Sequence, residues 1–477
     1  MKGPLWTGAA ILAATGGAAH GNLPAAIGGV SIDTRTLAAG DAFFAIRGDR
    51  LDGHAFVGNA FAKGAGLAVV EADRAGELSG AGALIAVPDV LEALGALGRA
   101  ARARSPAQVV AVTGSVGKTS TKEALRQALG ASGATHGSAA SHNNHWGVPL
   151  TLARLPADAR FAVFEIGMNH AGEISPLTRL VRPHVAVITT VEPVHLEHFP
   201  SVEAIADAKA EILEGLEPGG AAVLNRDNRH FERLAAAARA RGARVIGFGF
   251  DPAAEVRADS LTATADGSAV AATVLGRKIA FKVGAPGRHL VQNSLAVLAA
   301  AELLGADLAL AALALAGFTP PPGRGERHRL ATPSGPALLI DESYNANPAS
   351  MRAALSLLGG SSVAPPGRRI AVLGDMLELG PTAEDLHRSL SGEVEEARVD
   401  LVFAAGPLMR ALYEALPGYR RGQWAPTAAE LKPILLEAVR GGDVIMVKGS
   451  NGSRMGPLAA ALRTEFGPPN GVAASGE

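Results

Sequence analysis

The loop from Thr113 to Ser120 carries the strongest chemical signal in the sequence. It reads Thr-Gly-Ser-Val-Gly-Lys-Thr-Ser and stands between an apolar run and a segment with helical periodicity. Glycines in such a loop let backbone N–H groups converge on phosphate oxygens, and the following helix adds a favourable dipole. Lys118 would reach the β- and γ-phosphates, and the Thr119 hydroxyl would bind Mg²⁺. This phosphate loop predicts a nucleotide site. A glycine-rich turn without nucleotide is the alternative, because Val112 replaces the first glycine of the usual motif.

A carboxylate follows the next apolar run along the chain. Glu165 comes directly after Phe161–Phe164, at the predicted carboxyl end of a strand. Ligands of α/β sheets bind at that edge, and Mg²⁺ prefers oxygen ligands. Glu165 is therefore predicted to bind a metal ion, with a helix-capping or surface glutamate as the alternative.

Histidine pairs raise the question of zinc. His195 and His198, like His142 and His145, are three residues apart, but neither pair has the cysteine or His-Glu-x-x-His context of a zinc site. Histidines in surface loops are the favoured interpretation. Lys209 lies in a segment with amphipathic periodicity, where a solvated lysine is the ordinary expectation.

Three polar clusters follow apolar runs in the last third of the chain. They are Asp341 with Tyr344–Pro348, then Gly374 and Asp375, and then Lys448–Ser450. Carboxyl ends of parallel strands share one edge of a sheet, so these clusters predict a second ligand-facing edge. Ordinary turn chemistry is the alternative.

The fold that would position these residues is predicted to be α/β. A length of 477 residues indicates about three domains. We expect a small mixed N-terminal domain at 1–104, a central P-loop-type parallel-sheet ATPase domain at 105–318 and a C-terminal Rossmann-like domain at 319–477. Apolar runs alternating with helical segments predict the parallel sheets. The predicted strands are residues 42–46, 67–70, 109–112, 161–164, 185–188, 221–224, 337–340, 370–373, 401–404 and 444–447, with short strands at 245–284.

Composition narrows the class of protein. Hydrophobic residues make up 48% and charged residues 19%, as in globular proteins with sizeable cores. The formal net charge of −1 gives no general reason to expect a nucleic acid or anionic membrane partner. The chain has no cysteine, which excludes disulfides and thiolate metal sites. No apolar stretch resembles a membrane span of ~20 residues. A weakly signal-like stretch at residues 9–14 is expected to form a short helix ending near Gly17.

An ordered set of motifs extends from about residue 5 to about residue 465. The set comprises Ser31–Arg35, Asp52–His54, Thr113–Ser120, Asn143–Asn144, Glu165–His170, His195–Glu197, Asp207–Lys209, Asn225–Asp227, Gly323–Arg324 and Tyr344–Pro348. In this combination and order they resemble the Mur ligases of bacterial cell-wall synthesis. Ala349, and the His145-Trp146 pair after Asn144, depart from the pattern of that family.

The resemblance implies an ATP-dependent ligase that joins a carboxylate to an amine through an acyl phosphate. The substrates it implies are UDP-N-acetylmuramoyl-tripeptide and D-alanyl-D-alanine, and the product is the pentapeptide precursor of peptidoglycan. ATP and two Mg²⁺ ions are the implied cofactors, with Lys209 carrying CO₂ as a carbamate. A cytoplasmic monomer without nucleic acid partners is expected.

The resemblance also implies roles for residues at matching positions. Catalytic roles would fall to Lys118, His195, Lys209 and Arg324. The ATP site would comprise Thr113, Gly114, Ser115, Val116, Gly117, Lys118, Thr119, Ser120, Asn293, Arg324 and Asp341. The metal ligands would be Thr119 and Glu165 for one ion, and His195 and Lys209 for the other. The substrate contacts would be Ser31, Asp33, Arg35, Arg47, His54, Asn143, Asn144, Asn345, Asn347 and Lys448.

Three other interpretations fit the sequence less well. A sibling ligase that adds diaminopimelate or lysine would show an Asp-Asn-Pro motif followed by Arg or Ala in its last domain, which is absent from the sequence. Folate polyglutamation would not explain Tyr344–Pro348. A P-loop switch of the GTPase type would need Asn-Lys-x-Asp, which Asn225–Asn228 does not supply.

Overall fold

Three sheets follow one another along the chain. The computed structural model describes residues 3–48, 50–138, 141–194, 196–264, 267–363 and 365–467. The sheets have five, nine and six strands, and helices cover them. The α/β class expected from the apolar runs is confirmed. Among the described helices, none is both long and apolar enough to cross a lipid bilayer.

The N-terminal sheet has the strand order β1-β5-β4-β3-β2, and β1 is its antiparallel edge strand. Thr7 caps the first helix, which ends at Gly16 in the left-handed region, close to the predicted end. The elements are α1 Gly8–Thr15, β1 Ala18–His20, β2 Val30–Ser31, β3 Ala42–Phe44, a 3-10 helix Gly53–Phe56, α2 Val57–Ala62, β4 Leu67–Glu71, α3 Ala75–Leu78, β5 Leu84–Val87 and α4 Val90–Arg104.

The central sheet has the order β14-β13-β12-β11-β10-β9-β6-β8-β7, parallel from β7 to β12 and antiparallel from β12 to β14. The antiparallel strands are the β-rich flank predicted at 245–284. The elements are β6 Gln108–Thr113, α5 Lys118–Gly130, β7 Thr135–Gly137, α6 Gly147–Ala153, β8 Phe161–Glu165, α7 Ile174–Val181, β9 Val185–Ile188, α8 Val202–Ala210, a 3-10 helix Glu211–Gly215, β10 Ala221–Asn225, α9 Phe231–Ala240, β11 Arg244–Gly249, β12 Val256–Thr264, β13 Gly267–Val274, β14 Arg277–Val283, α10 Arg288–Leu303 and α11 Leu308–Leu315.

The C-terminal sheet has the order β15-β16-β20-β17-β18-β19, with β15 antiparallel to the rest. Helices lie on both faces of this sheet, as expected for the predicted Rossmann-like domain. The elements are β15 Glu326–Thr332, β16 Gly335–Glu342, α12 Pro348–Gly359, β17 Arg369–Gly374, α13 Ala383–Glu396, β18 Leu401–Ala405, α14 Met409–Ala415, β19 Arg421–Ala425, α15 Ala428–Ala438, β20 Val444–Lys448 and α16 Met455–Phe466, with 3-10 turns Gly380–Thr382, Gly418–Arg420 and Asn451–Ser453.

The N-terminal and central sheets share one hydrophobic core. Phe44 of β3 and Leu94 of α4 belong to the same buried cluster as Val148 of α6 and Phe164 of β8. Burial of apolar surface across this junction, at roughly 25 cal/mol per Å², stabilises one arrangement of the two sheets. The C-terminal sheet is enclosed by two clusters whose members all lie beyond residue 329. The C-terminal unit therefore has its own core and is joined through the proline-rich segment 318–323.

Candidate functional site

The phosphate loop connects β6 to α5 as predicted. Gly117 begins the helix with φ of +85°, a conformation that favours glycine. Lys118 is half-buried, and its ammonium donates to the Gly114 carbonyl over 2.7 Å. A methyl group on Gly117 would come within 2.7 Å of the Asn293 amide nitrogen. The loop backbone is thus packed against the helix that carries Asn293, a residue predicted to belong to the ATP site.

Residues that sequence reasoning missed hold the other side of this loop. The Ser115 N–H donates to the Thr190 carbonyl over 2.9 Å, and the Ser115 hydroxyl donates to the Glu192 carbonyl over 3.0 Å. The Thr189 hydroxyl donates to the Val116 carbonyl over 2.6 Å. These bonds cross from β6 to the segment after β9, its neighbour in the sheet. They fix the loop before any ligand arrives, and the sheet order that creates them is not visible in the sequence.

Glu165 stands at the carboxyl end of β8, beside the start of α5. The Thr119 hydroxyl donates to Glu165 Oε1 over 3.1 Å, and the Asn143 amide donates to the same oxygen over 2.8 Å. Oε2 is buried and has no hydrogen-bond partner among the described residues. A buried carboxylate oxygen without a partner is costly unless a cation or water binds it. A carboxylate and a hydroxyl beside a phosphate loop fit Mg²⁺, which takes few protein ligands and completes its octahedron with phosphates and water.

Cationic groups gather around the phosphate loop. Burial lowers the pKa of Lys118, and the charge of Arg324 in the C-terminal unit lowers it further, whereas Glu165 opposes this shift. Arg324 also lies 4.0 Å above the Tyr344 ring. Lys209 in α8 is 2% exposed, and burial, with the charge of Lys118, holds its pKa well below the ordinary value. The prediction of a solvated lysine is wrong, because Lys209 is buried and the charge of Lys118 acts on its amine. His195 lies outside the described residues.

The C-terminal polar clusters meet at one edge of their sheet. Strands β16, β20 and β17 are neighbours, so Glu342 pairs in register with Lys448. The buried Lys448 ammonium lies 3.3 Å from the Glu342 carboxylate and donates to the Asn345 carbonyl over 3.0 Å. Asp341 is buried and accepts from the Ser343 hydroxyl over 2.6 Å. The ligand-facing edge predicted from the three clusters is formed. Its strand β16 pairs with β15, which begins two residues after Arg324.

Two of the predicted asparagines have structural roles here. Asn347 caps α12 by accepting from the Ser350 N–H over 2.9 Å. Asn144 accepts from the Gly147 N–H over 3.0 Å at the start of α6. Asn345 is exposed at the edge of the C-terminal sheet. Of these three side chains, Asn345 is the one free to reach a ligand in this arrangement.

A cavity of about 1500 Å³ lies between the N-terminal unit and α6 of the central unit. Ser31, Asp33 and Arg35 line it, as their predicted role requires. We call this space the N-terminal cavity. Its far wall is formed by residues of the central unit, including Trp146 and Arg154.

Arg47 and His54 were also predicted to contact the substrate, but they do not line this cavity. The His54 side chain is fully buried, and its Nδ1 lies 2.6 Å from Asp52 Oδ1. Its Nε2 accepts from the Glu71 N–H over 2.9 Å, so both ring nitrogens are engaged. Arg47 pairs with Glu71 over 2.8 Å. In this arrangement both residues support the N-terminal sheet.

A second cavity, of about 700 Å³, opens at the carboxyl edge of the C-terminal sheet. Asp375, Gly406, Thr427 and Arg454 line it. We call it the C-terminal cavity. Among the sequence-predicted polar clusters, Gly374–Asp375 is the one that reaches it.

The histidine pairs give no support to zinc. His142 lines the N-terminal cavity, whereas His145 is exposed. His198 stacks on His170 with ring centroids 4.4 Å apart. Within the described ranges, no group of three or more His, Cys, Asp or Glu side chains is arranged to hold a metal ion.

Comparison with known proteins accords with this geometry. Residues 112–301 match the Mur ligase middle domain, residues 323–451 match the Mur ligase glutamate ligase domain, and residues 26–102 match the Mur ligase family catalytic domain.

Individual relatives match nearly the whole chain. The chain is 35% identical to the UDP-N-acetylmuramoyl-tripeptide--D-alanyl-D-alanine ligase of Escherichia coli, over 91% of this chain and 93% of that protein. It is 34% identical to the Bacillus subtilis ligase with the same name, with the same coverage. A crystal structure of MurF from Acinetobacter baumannii superposes with a TM-score of 0.83 at 30% identity, over 97% of this chain and all of that chain (100%). The chain therefore belongs to the Mur ligase family.

Proposed function

We propose that this protein joins UDP-N-acetylmuramoyl-tripeptide to D-alanyl-D-alanine, with ATP converted to ADP and phosphate. The Thr119–Glu165 pair beside Lys118 carries the proposal, because it prepares a phosphate loop for a metal–nucleotide complex. Relatives that share about a third of its residues bear the name of this ligase. The two cavities supply space for a large acyl donor and a small amine.

The reaction starts by activating a carboxylate, which is a poor acyl donor. The γ-phosphoryl group of ATP passes to the tripeptide carboxylate and gives an acyl phosphate and ADP. Lys118 and Arg324 supply positive charge where the transferred group carries negative charge. Since Arg324 comes from the C-terminal unit and Lys118 from the central unit, the site needs both units in place.

The amine of the dipeptide then attacks the acyl phosphate. A C–N bond forms and a tetrahedral oxyanion develops. The nitrogen loses a proton to solvent or to the departing phosphate, and phosphate leaves with the C–O bond electrons. Cationic groups stabilise the oxyanion best when they are fixed beforehand. The buried Lys448, held by Glu342 and the Asn345 carbonyl, is such a group at the edge of the C-terminal sheet.

Thr119 and Glu165 would hold one Mg²⁺, since the Thr119 hydroxyl is bonded to one oxygen of the Glu165 carboxylate and the other oxygen is buried without a partner among the described residues. Bound Mg²⁺ neutralises charge on the phosphate oxygens. We assign a second ion to Lys209, as a carbamate, and to His195. The buried amine of Lys209 supports this assignment, because a neutral amine reacts with CO₂ and the carbamate supplies oxygen ligands.

We assign the UDP portion of the acyl donor to the end of the N-terminal cavity at Ser31, Asp33 and Arg35. The dipeptide is assigned to the C-terminal cavity, which is lined by Asp375 and by residues 452–454. Asn293, packed against Gly117, is assigned to adenine.

We retain domain limits of 1–104, 105–318 and 319–477, and the ranges that match the family fall inside them. α4 bridges two of these units, since its residues join the core shared with the central sheet. A monomer in the cytoplasm, where ATP and UDP-linked precursors are made, completes the proposal.

Phosphate release from ATP and Mg²⁺ tests this function. Release should require UDP-N-acetylmuramoyl-tripeptide and D-alanyl-D-alanine together. It should occur with the tripeptide whose third residue is diaminopimelate, with the one whose third residue is lysine, or with both. A product heavier than the donor by the dipeptide should accumulate in proportion to phosphate. Release with another acid and amine, but not with this pair, would overturn the substrate assignment and keep the ligase chemistry.

A further inference from the structure

One of the three tryptophans lines a cavity with its side chain. Trp6 is buried and donates its indole N–H to the Ala153 carbonyl over 2.7 Å. Trp424 donates to the Gly406 carbonyl over 2.9 Å. Trp146 is half-buried and lines the N-terminal cavity, whereas Trp6 and Trp424 do not line it. A large aromatic surface left open to a cavity is available to a ligand.

The turn that carries Trp146 is tightly fixed. A methyl group on Gly147 would come within 2.7 Å of the His142 backbone, and the Gly147 N–H donates to Asn144. The His142 ring lies 6.2 Å from the Trp146 ring, centroid to centroid, with the planes inclined by 53°. The backbone that carries the indole is therefore fixed before a ligand binds, which reduces the entropy lost on binding.

The position of Trp146 along the donor follows from its neighbours. Asn143 donates to Glu165, which places this turn beside the phosphate loop. Three residues of chain span at most ~11 Å, so Trp146 lies near the reacting end of the donor. Ser31 and Asp33, which we assign to the UDP portion, line the same cavity from the N-terminal unit. The part of the donor between uridine and the reacting carboxylate must pass the indole.

We propose that Trp146 is a specificity-determining residue that stacks on the N-acetylmuramoyl sugar of the acyl donor. The C–H face of a hexosamine ring, with its acetyl and lactyl methyl groups, is apolar and matches an indole face. This inference rests on the proposed function and adds the contact that distinguishes the full donor from UDP.

Equilibrium binding of two ligands tests the proposal. UDP-N-acetylmuramoyl-tripeptide and UDP are titrated into wild type, W146F, W146A and H145A by calorimetry. W146A should bind the full donor roughly 10-fold or more weakly, since a lost aromatic contact of this size is worth 1.4 kcal/mol or more, and W146F should lie between. UDP affinity should stay within about twofold in all variants. His145 is exposed and adjacent, so H145A should match wild type for both ligands.

Steady-state kinetics and fluorescence give independent readouts. W146A should raise KM for the donor while KM for ATP and for D-alanyl-D-alanine stay unchanged. The full donor should change tryptophan emission in wild type and not in W146F, whereas UDP should change it in neither. Equal loss of affinity for UDP and donor, or no loss for either, would overturn the role of Trp146. Failure of wild type to bind the donor at all would instead overturn the proposed function.

Discussion

The hydroxyl of Thr119 donates to Glu165 over 3.1 Å, while the second oxygen of that carboxylate is buried without a partner in the described part of the chain. The two residues are 46 positions apart and come from neighbouring elements, the start of α5 and the end of β8. The cost of the unpartnered oxygen is removed when a cation binds there.

E165Q should therefore impair metal use more than folding. The amide keeps an oxygen for Thr119 and Asn143 but replaces the anionic oxygen with a donor. We expect kcat/KM to fall roughly 100-fold or more, because charge stabilisation in the transition state is lost. Phosphate release measured against Mg²⁺ concentration should show a raised half-saturation point. E302Q is the control, since Glu302 pairs with Arg277 at the surface. A normal Mg²⁺ profile in E165Q would contradict the assignment.

G117A should weaken ATP binding by straining the loop backbone and crowding Asn293. Gly117 has φ of +85°, and an added methyl group would press on the Asn293 amide. A residue with a side chain costs roughly 1–2 kcal/mol of conformational free energy at this φ. A shifted backbone would also no longer direct its N–H groups at the phosphate oxygens. ATP affinity, measured by titration calorimetry, should fall about tenfold or more.

G130A provides the matched control for G117A. It adds the same methyl group at the other end of α5, where no described atom lies within 4 Å. Its ATP affinity should equal that of wild type. Equal affinities in G117A and wild type would show that the loop conformation is not needed.

Lys209 should form a carbamate that Lys122 does not form. Both lysines are buried, but the Lys122 ammonium lies 2.7 Å from Glu123, whereas the pKa of Lys209 is held well below normal by burial. This lowered pKa favours the unprotonated, nucleophilic form of the Lys209 amine. Protein in ¹³C-bicarbonate should give a carbamate NMR signal that K209R loses and K122R keeps. Activity should fall at least 100-fold in K209A. A signal that persists in K209R would refute the assignment.

His387 should make the C-terminal unit sensitive to acid. Its ring is fully buried: Nδ1 donates to the Ala383 carbonyl over 2.6 Å, and Nε2 accepts from the Met376 N–H over 2.9 Å. Burial lowers its pKa from the ordinary 6.5, although Asp375 opposes this. The unfolded chain therefore binds the proton more tightly, so stability falls as pH drops below about 6.5 and levels off below the folded pKa.

H387Q isolates this effect, because a glutamine oxygen can still accept from the Met376 N–H. At pH 8 the variant should be about 1–3 kcal/mol less stable in urea unfolding, since packing and the bond to Ala383 are lost. At pH 5 the gap between variant and wild type should be smaller. A gap that stays constant from pH 8 to pH 5 would mean that His387 does not titrate on unfolding.

Much of the fold was predictable because local signals agree with it. The apolar run 109–112 lies in β6, and the glycines and Lys118 that follow it form the strand–loop–helix unit. Runs at 337–340, 370–373 and 444–447 became adjacent strands, which brought their polar ends together. Such runs are buried on both faces of a parallel sheet, so composition alone reveals them.

The remaining features depend on contacts that no local pattern records. The order β9-β6-β8 places Thr189 and Glu165 on either side of the phosphate loop. Lys209 is buried although its helix has polar residues around it, because tertiary packing decides which face is covered. His54 and Asn347 have residue types suited to ligands, yet their hydrogen bonds are used within the fold.

Oxygen transfer tests the central claim most directly. UDP-N-acetylmuramoyl-tripeptide is labelled with ¹⁸O in its terminal carboxylate and allowed to react with ATP, Mg²⁺ and D-alanyl-D-alanine. The masses of the products are then measured by mass spectrometry. An acyl phosphate requires that one labelled oxygen leave with inorganic phosphate and the other stay in the new amide carbonyl. We predict ¹⁸O in phosphate in a one-to-one ratio with pentapeptide. Pentapeptide formed with unlabelled phosphate would contradict activation of the carboxylate by phosphoryl transfer.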